Sequence, residues 1–164
     1  MRRDDNKGFT LAELLIVVAI IGVLVAISIP IFSKQLEKAR DATSVANLRS
    51  AYAEAMTEYL NPDLSMKSGK GLVIKDSNGK ITMSVNFKSA TSSTITSIAV
   101  YNVDIESKKR NNWSGLGENL PFYSTLQPDS QSHGDIGKSG KVKYVIFTYD
   151  EDGNIIETRL VYAS

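Results

Sequence analysis

The chain has 164 residues, 42% of them apolar and 23% charged, with a formal net charge of +1. This balance excludes a disordered or collagen-like chain and argues against a strongly basic nucleic-acid binder. The absence of cysteine excludes a disulfide framework, a thiolate zinc site, an iron–sulfur cluster and a cysteine nucleophile.

The first eight residues, MRRDDNKG, carry Arg2, Arg3 and Lys7 against Asp4 and Asp5. The next 24, FTLAELLIVVAIIGVLVAISIPIF, hold Glu13 as their only charge. As a helix this run is about 36 Å long at ~1.5 Å per residue, enough to cross a hydrocarbon core of ~30 Å. Positive residues ahead of it place the start of the chain in the cytoplasm and the remainder outside. Three readings compete. Ala26-Ile27-Ser28 has the small-x-small form of a secretory cleavage site, which would leave a chain starting at Ile29, but the run is longer than an ordinary signal core. A plain signal anchor explains the hydrophobicity and leaves Glu13 unexplained. An ionised acid in a spanning helix costs roughly 2.5–3.5 kcal/mol on insertion scales. The segment contains no cation to match it.

The third reading supplies one. The run Lys7-Gly8-Phe9-Thr10-Leu11-Ala12-Glu13, with its basic leader, long apolar stretch and internal proline, closely resembles the processing signature of type IV pilins and pseudopilins. The resemblance covers residues 1 to about 32. It implies cleavage between Gly8 and Phe9 by a prepilin peptidase, N-methylation of Phe9, and assembly through Phe9 and Glu13. The ammonium of an incoming Phe9 would then neutralise Glu13 of a neighbour in a helical homopolymer. Other implied partners are the assembly platform and its ATPase, other pilins, and the membrane before assembly. The family also implies that the stretch between Gly22 and Pro30 can unwind. Chemically, Pro30 removes a backbone donor and predicts a kink near Ser28, while Gly22 costs about 1 kcal/mol relative to alanine in a helix.

Residues 33–60 hold no Gly or Pro. Ala42, Val45, Leu48 or Arg49, Tyr52, Met56 and Tyr59 recur at spacings of three and four, one apolar stripe of a helix that packs on its own domain. The helix is expected to run from about 9 to 60 and to stop at Asn61-Pro62. Beyond it the period becomes two. Leu72-Val73-Ile74, the turn Asp76-Ser77-Asn78-Gly79 and the alternating Ile81, Met83, Val85 and Phe87 form a hairpin. Residues 95–105 are ambiguous, with β-branched residues favouring a strand. Residues 107–140 read as an exposed loop region, pinned to the sheet by Trp113, Leu116, Leu120, Phe122 and Tyr123. Val142–Tyr149 and Ile155–Tyr162 form a second hairpin across residues 150–154. The order predicts an α+β fold, with an antiparallel sheet packed on the second half of the helix. The pilin architecture is the same. The domain plan is a leader 1–8, an apolar assembly helix 9–32 and an exported domain 33–164. Many pilins close a C-terminal loop with a disulfide, which this chain lacks. Within the family that points to a Gram-positive source.

Asp150-Glu151-Asp152-Gly153-Asn154 alternates oxygen ligands as calcium loops do, but Gly153 stands fourth rather than sixth, and a hairpin turn is the favoured reading. Asn112-Trp113-Ser114 fits the N-glycosylation pattern, read as chance. Lys108-Lys109-Arg110 and Lys138, Lys141 and Lys143 form two small basic groups, read as solvated; DNA binding there would weaken steeply with salt. His133 receives no role. No nucleophile motif, phosphate loop or paired catalytic carboxylate appears, so the chain is read as a structural protein with no cofactor and no metal. The alternatives are a pseudopilin of a type II secretion or competence system, and a monomeric membrane-anchored binding domain. Motility, adhesion, biofilm formation and DNA uptake are all outputs of such filaments.

Overall fold

The computed structural model describes residues 9–62, 67–68, 71–88, 94–108, 112–127 and 140–162. The chain divides into two compact units, one ending at Leu36 and one beginning at Glu37.

A single helix, α1 (Leu11–Leu60), supplies all the described structure of the first unit except Phe9 and Thr10, and opens the second. It starts two residues later than expected because Thr10 is its cap. The hydroxyl of Thr10 accepts the Glu13 N–H at 3.2 Å and Glu13 Oε2 accepts the Thr10 N–H at 2.8 Å. This reciprocal pair is a capping box, which satisfies two donors that the first helical turn would leave orphaned. The far end of α1 falls at Leu60, just before the expected Asn61-Pro62 stop.

In the second unit α1 faces a seven-stranded sheet of order β1-β2-β3-β4-β6-β7-β5. The strands are β1 (Lys67–Ser68), β2 (Gly71–Lys75), β3 (Ile81–Phe87), β4 (Ile95–Ile105), β5 (Leu126–Gln127), β6 (Gly140–Tyr149) and β7 (Ile155–Tyr162). The class is α+β, with two departures from the expected sheet. The ambiguous 95–105 stretch is an eleven-residue central strand, paired with β3 on one side and β6 on the other. The edge strand β5 runs parallel to β7, through Leu126 opposite Thr158, so the sheet is not wholly antiparallel. Both expected hairpins are present, β2–β3 and β6–β7, and both turns close in the same way. Asp76 Oδ1 accepts the N–H groups of Asn78 and Lys80, each at 2.9 Å. Asp150 Oδ1 accepts those of Asp152 and Asn154 at 3.0 and 2.7 Å. Gly79 (φ 77°) and Gly153 (φ 87°) take the left-handed positions that such turns require. A Cβ on Gly153 would collide with the Tyr59 hydroxyl, so a larger residue there would have to displace that ring.

The helix stripe that meets the sheet differs from the expected one. Its fully buried residues are Glu37, Asp41, Ser44, Val45, Leu48, Ala51 and Ala55. Ala42 and Arg49 are exposed, and Tyr52, Met56 and Tyr59 are partly buried at the margins. These residues pack against Val85, Ile98, Val145, Phe147 and Leu160 of the sheet's inner face. Aromatic rings complete the layer. Phe122 and Phe147 meet edge to face with centroids 5.1 Å apart, and Tyr59 stacks on Tyr149 at 4.4 Å. Burial pushes the Tyr149 phenol above its ordinary pKa, and the neighbouring phenols of Tyr52 and Tyr59 add to the shift.

Within residues 107–140 the segment 112–127 is pinned as the sequence suggests: Trp113, Leu120 and Phe122 are buried, Trp113 completely, and Leu116 and Tyr123 pack against the core. Leu126 and Ser107 are buried as well, so the region is less exposed than its composition implies. The chain turns there through three successive left-handed residues, Trp113 (φ 49°), Ser114 (φ 55°) and Gly115 (φ 81°). Two of these carry side chains, at a cost of roughly 1–2 kcal/mol each, offset by the burial of the indole. Residues 128–139 lie outside the described segments, with His133 and Lys138 among them.

Candidate functional site

The first unit contains the expected site residues Phe9, Glu13, Gly22 and Pro30; Gly8 lies outside the described residues. Leu, Ile and Val residues fill the segment although Ile and Val lose χ1 freedom in a helix, and no charge interrupts it between Leu14 and Phe32. Every side chain from Phe9 to Leu36 is exposed. α1 is the one helix among the described residues long and apolar enough to cross a membrane, and its apolar window buries nothing within the chain. Exposed apolar area on this scale far exceeds the patches found on soluble monomers.

The polar groups of the segment are already satisfied. Ser28 Oγ donates to the Leu24 carbonyl at 2.7 Å, and Ser33 Oγ to that of Ile29 at 3.0 Å. The segment can therefore leave water without orphaning a hydroxyl, which hydrocarbon demands. Helix α1 continues through Gly22 and Pro30. A Cβ at Gly22 would meet nothing within 4 Å, so no contact inside the chain calls for glycine there.

Glu13 is the exception to this polar economy. Its Oε2 accepts both the N–H and the hydroxyl of Thr10, each at 2.8 Å, while Oε1 accepts nothing among the described residues. One carboxylate oxygen is thus fixed to the helix end, where negative charge is favoured by the macrodipole, and the other is not engaged among the described residues. Thr10 was missed as a functional residue by the sequence reading. Its signal was nevertheless present, since Thr-x-x-Glu directly before an apolar run is the capping-box signature.

In the second unit a buried polar clasp joins α1 to the end of β4. The hydroxyls of Ser107 and Ser114 both donate to the Asp41 carboxylate, which has no exposure. Ser44 Oγ accepts the N–H groups of Glu106 and Ser107 at 2.9 and 3.1 Å. Glu37 accepts the Lys108 N–H at 2.6 Å and pairs with Arg40 at 3.5 Å. Asn47 donates to the Asp104 carbonyl at 2.8 Å, and Arg49 to that of Asn119 at 3.2 Å. The clasp holds the left-handed 113–115 turn against the helix.

The other candidates resolve plainly. In the 150–154 turn both oxygens of Asp150 are used by the turn itself, including Asn154 Nδ2 at 3.0 Å, and the Asn154 side chain, then its N–H, hold the Asp150 carboxyl below its usual range. Glu151 pairs with Lys88 instead of turning inward. Among the described residues no three His, Cys, Asp or Glu side chains gather as a metal site. Of the glycosylation triplet, Trp113 is buried and Ser114 donates to Asp41, while the side chain of Asn112 lies outside the described residues. Of the basic groups, Lys108 and Lys143 are exposed; Lys109, Arg110 and Lys138 lie outside the described residues, as does the side chain of Lys141.

Comparison with known proteins agrees with this geometry. The family model of the prokaryotic N-terminal methylation motif matches residues 3–29. A type IV major pilin of Neisseria gonorrhoeae is 33% identical over 145 residues, covering 83% of this chain and 87% of that protein. The major component of a narrow type IV pilus of Thermus thermophilus is 40% identical over 86 residues, 44% of this chain and 73% of that protein. A type IV major pilin of Myxococcus xanthus is 43% identical over 58 residues, 35% of this chain and 26% of its own length. No solved structure gives a significant match. The matched relatives are structural pilins, not enzymes. The chain belongs to the type IV pilin family, and is a structural pilin subunit. These relatives give no support to a Gram-positive source.

Proposed function

We propose that the chain is the precursor of a type IV pilus subunit, with a leader 1–8, an apolar assembly helix 9–32 and an exported domain 33–164. It inserts in the membrane with its start in the cytoplasm. The prepilin peptidase cuts between Gly8 and Phe9 and the new amino terminus is methylated. The platform and ATPase of the assembly machine then move the subunit into a helical homopolymer on the cell surface. Phe9 and Glu13 carry the assembly step, because the new ammonium of one copy meets the unengaged Glu13 oxygen of another. A matched pair in a low-dielectric filament selects one register, since an unmatched buried charge is costly. Gly22 and Pro30 are the flexible points of the apolar helix.

The observation that carries this reading is the complete exposure of an apolar helix whose polar groups, Glu13 apart, are already satisfied. Such a helix must be covered by lipid or by other helices. The relatives are named as major pilins, which favours a pilus over a secretion pseudopilin. The test is Glu13→Ala in cells. Membrane insertion stays at the wild-type level, and the yield of sheared filaments falls at least tenfold. A normal filament yield from that variant would overturn the role of Glu13.

A further inference from the structure

Both hairpins turn on a pair of the form Asx-Gly, Asn78-Gly79 between β2 and β3 and Asp152-Gly153 between β6 and β7. Each glycine is left-handed and donates its N–H to the first carbonyl of the turn, Gly79 to Asp76 at 3.0 Å and Gly153 to Asp150 at 3.3 Å. Their surroundings differ. Residues 75–80 are all exposed, and a Cβ on Gly79 would meet nothing within 4 Å. Gly153 is partly buried against Tyr59. The asparagine side chains differ as well. Those of Asn47, Asn86 and Asn154 donate at 2.8, 3.0 and 3.0 Å. The Asn78 side chain makes no hydrogen bond among the described residues. Its backbone N–H alone is engaged, by Asp76 Oδ1 at 2.9 Å.

Asparagine is thermolabile because the backbone nitrogen of the next residue can attack its side-chain carbonyl carbon. A Cβ on that next residue hinders the approach, and glycine has none. Asn78-Gly79 is the one Asn-Gly pair in the sequence. Ring closure requires the Gly79 N–H to leave the Asp76 carbonyl. A solvent-exposed turn with few buried contacts opens locally at low free energy, and nothing around Gly79 obstructs the ring that forms. At residues 152–153 the Tyr59 ring crowds the glycine. The electrophile there is a carboxyl group, which resists a nitrogen nucleophile once ionised.

We propose that Asn78 is a self-modification site, at which the Gly79 nitrogen displaces ammonia and the turn gains a carboxylate. The Gly79 nitrogen gives its proton to solvent base and bonds to Asn78 Cγ. The Cγ–Nδ2 bond breaks, and Nδ2 leaves as ammonia with a proton returned by solvent. Water then opens the succinimide at either carbonyl, giving an aspartate or an isoaspartyl link. No oxidant or reductant takes part, and water is the only co-reactant. Either product replaces a neutral amide with a negative, acceptor-only group close to Asp76. The isoaspartyl product also lengthens the turn backbone by one carbon, and turn length sets hairpin register. The inference is independent of the assembly reading.

Lys75 and Lys80 bracket the site, so trypsin releases Asp76–Lys80 as one peptide. The full-length chain is incubated in detergent at neutral and at mildly alkaline pH, then digested in heavy-oxygen water, which marks any conversion during digestion. Mass spectrometry follows the Asp76–Lys80 peptide and those containing Asn47, Asn86 and Asn154. The expected result is an Asn-to-Asp mass gain at Asn78, several times faster than at the other three and faster at alkaline pH. Fragmentation then shows both aspartate and isoaspartate. In Asn78→Gln, which keeps Gly79 but needs a larger ring, the gain disappears. An Asn78 peptide that stays unchanged in the folded chain overturns the inference, including when it converts in denaturant, because the turn then protects it. Equal rates at all four asparagines overturn it too, since they report no selectivity from the turn.

Discussion

Between Leu11 and Leu36, α1 buries none of its side chains; between Glu37 and Leu60 it buries seven, three of them polar. One continuous helix therefore has two kinds of surface. The first half carries no charge from Leu14 to Phe32, and its side chains are exposed among the described residues. The second half has a partner built in, and holds it with a core of Val45, Leu48, Ala51 and Ala55 together with the clasp of Glu37, Asp41 and Ser44. The difference teaches that hydrophobicity and stabilising burial are separate properties. Here the more hydrophobic half contributes nothing to the stability of the isolated domain, and the less hydrophobic half contributes most of the helix's share.

The same substitution in the two halves gives the largest contrast. Leu48→Ala removes a side chain with no exposure and leaves a cavity, so it costs about 3–4 kcal/mol of unfolding free energy. Leu24→Ala, at a position 59% exposed, leaves that free energy within about 0.5 kcal/mol. Denaturant melts of the full chain in detergent measure both, and equal losses would erase the distinction between the halves. Asp41→Ala comes next. It leaves the Ser107 and Ser114 hydroxyls without their acceptor, at roughly 2–3 kcal/mol in the same melts. A neutral result would mean that the clasp contributes no net stability. Gly153→Ala is smaller, about 1–2 kcal/mol for a left-handed alanine, with the Tyr59 ring forced to move. It is read as a loss in the near-ultraviolet signal of the Tyr59–Tyr149 stack.

The smallest effect is one of pH and belongs to the domain alone. The Asp150 carboxyl is held below the ordinary carboxylate range by the Asn154 side chain and turn N–H groups. A depressed acid stabilises the fold fully above its unfolded pKa and loses that contribution as pH falls through the folded value. The difference in melting temperature between wild type and Asp150→Asn is therefore constant at neutral pH and shrinks below about pH 4. A difference that grows on acidification would reverse the assigned sign.

Much of the fold was legible in the sequence for identifiable reasons. Asn78-Gly79 and Asp150–Asn154 are local turn chemistry, so both hairpins could be read without tertiary information. The end of α1 was written in Asn61-Pro62. What could not be read depends on partners distant in sequence. Asp41 is buried only because Ser107 and Ser114 arrive from more than sixty residues away, and a charged residue in a helix otherwise reads as solvent-facing. The anchors of residues 112–127, Trp113 and Phe122 among them, were legible as large apolar residues in a turn-rich stretch, whereas the left-handed 113–115 turn that seats the indole was not. The parallel pairing of β5 with β7 joins two residues to a strand thirty positions on, and no local pattern encodes it. The motif singles out Phe9, Glu13, Gly22 and Pro30 for the proposed assembly role. The capping role of Thr10 was equally local, and was obscured because the motif drew attention to Glu13 as a charge in need of a distant cation.

The central claim is that the apolar half is covered by other copies after its leader is removed. The most direct test is the intact mass and N-terminal sequence of the protein in material sheared from cells. The account predicts an abundant chain that begins at Phe9 and is heavier by one methyl group. A chain that begins at Met1 or at Ile29, or that is absent from the sheared fraction, would contradict it.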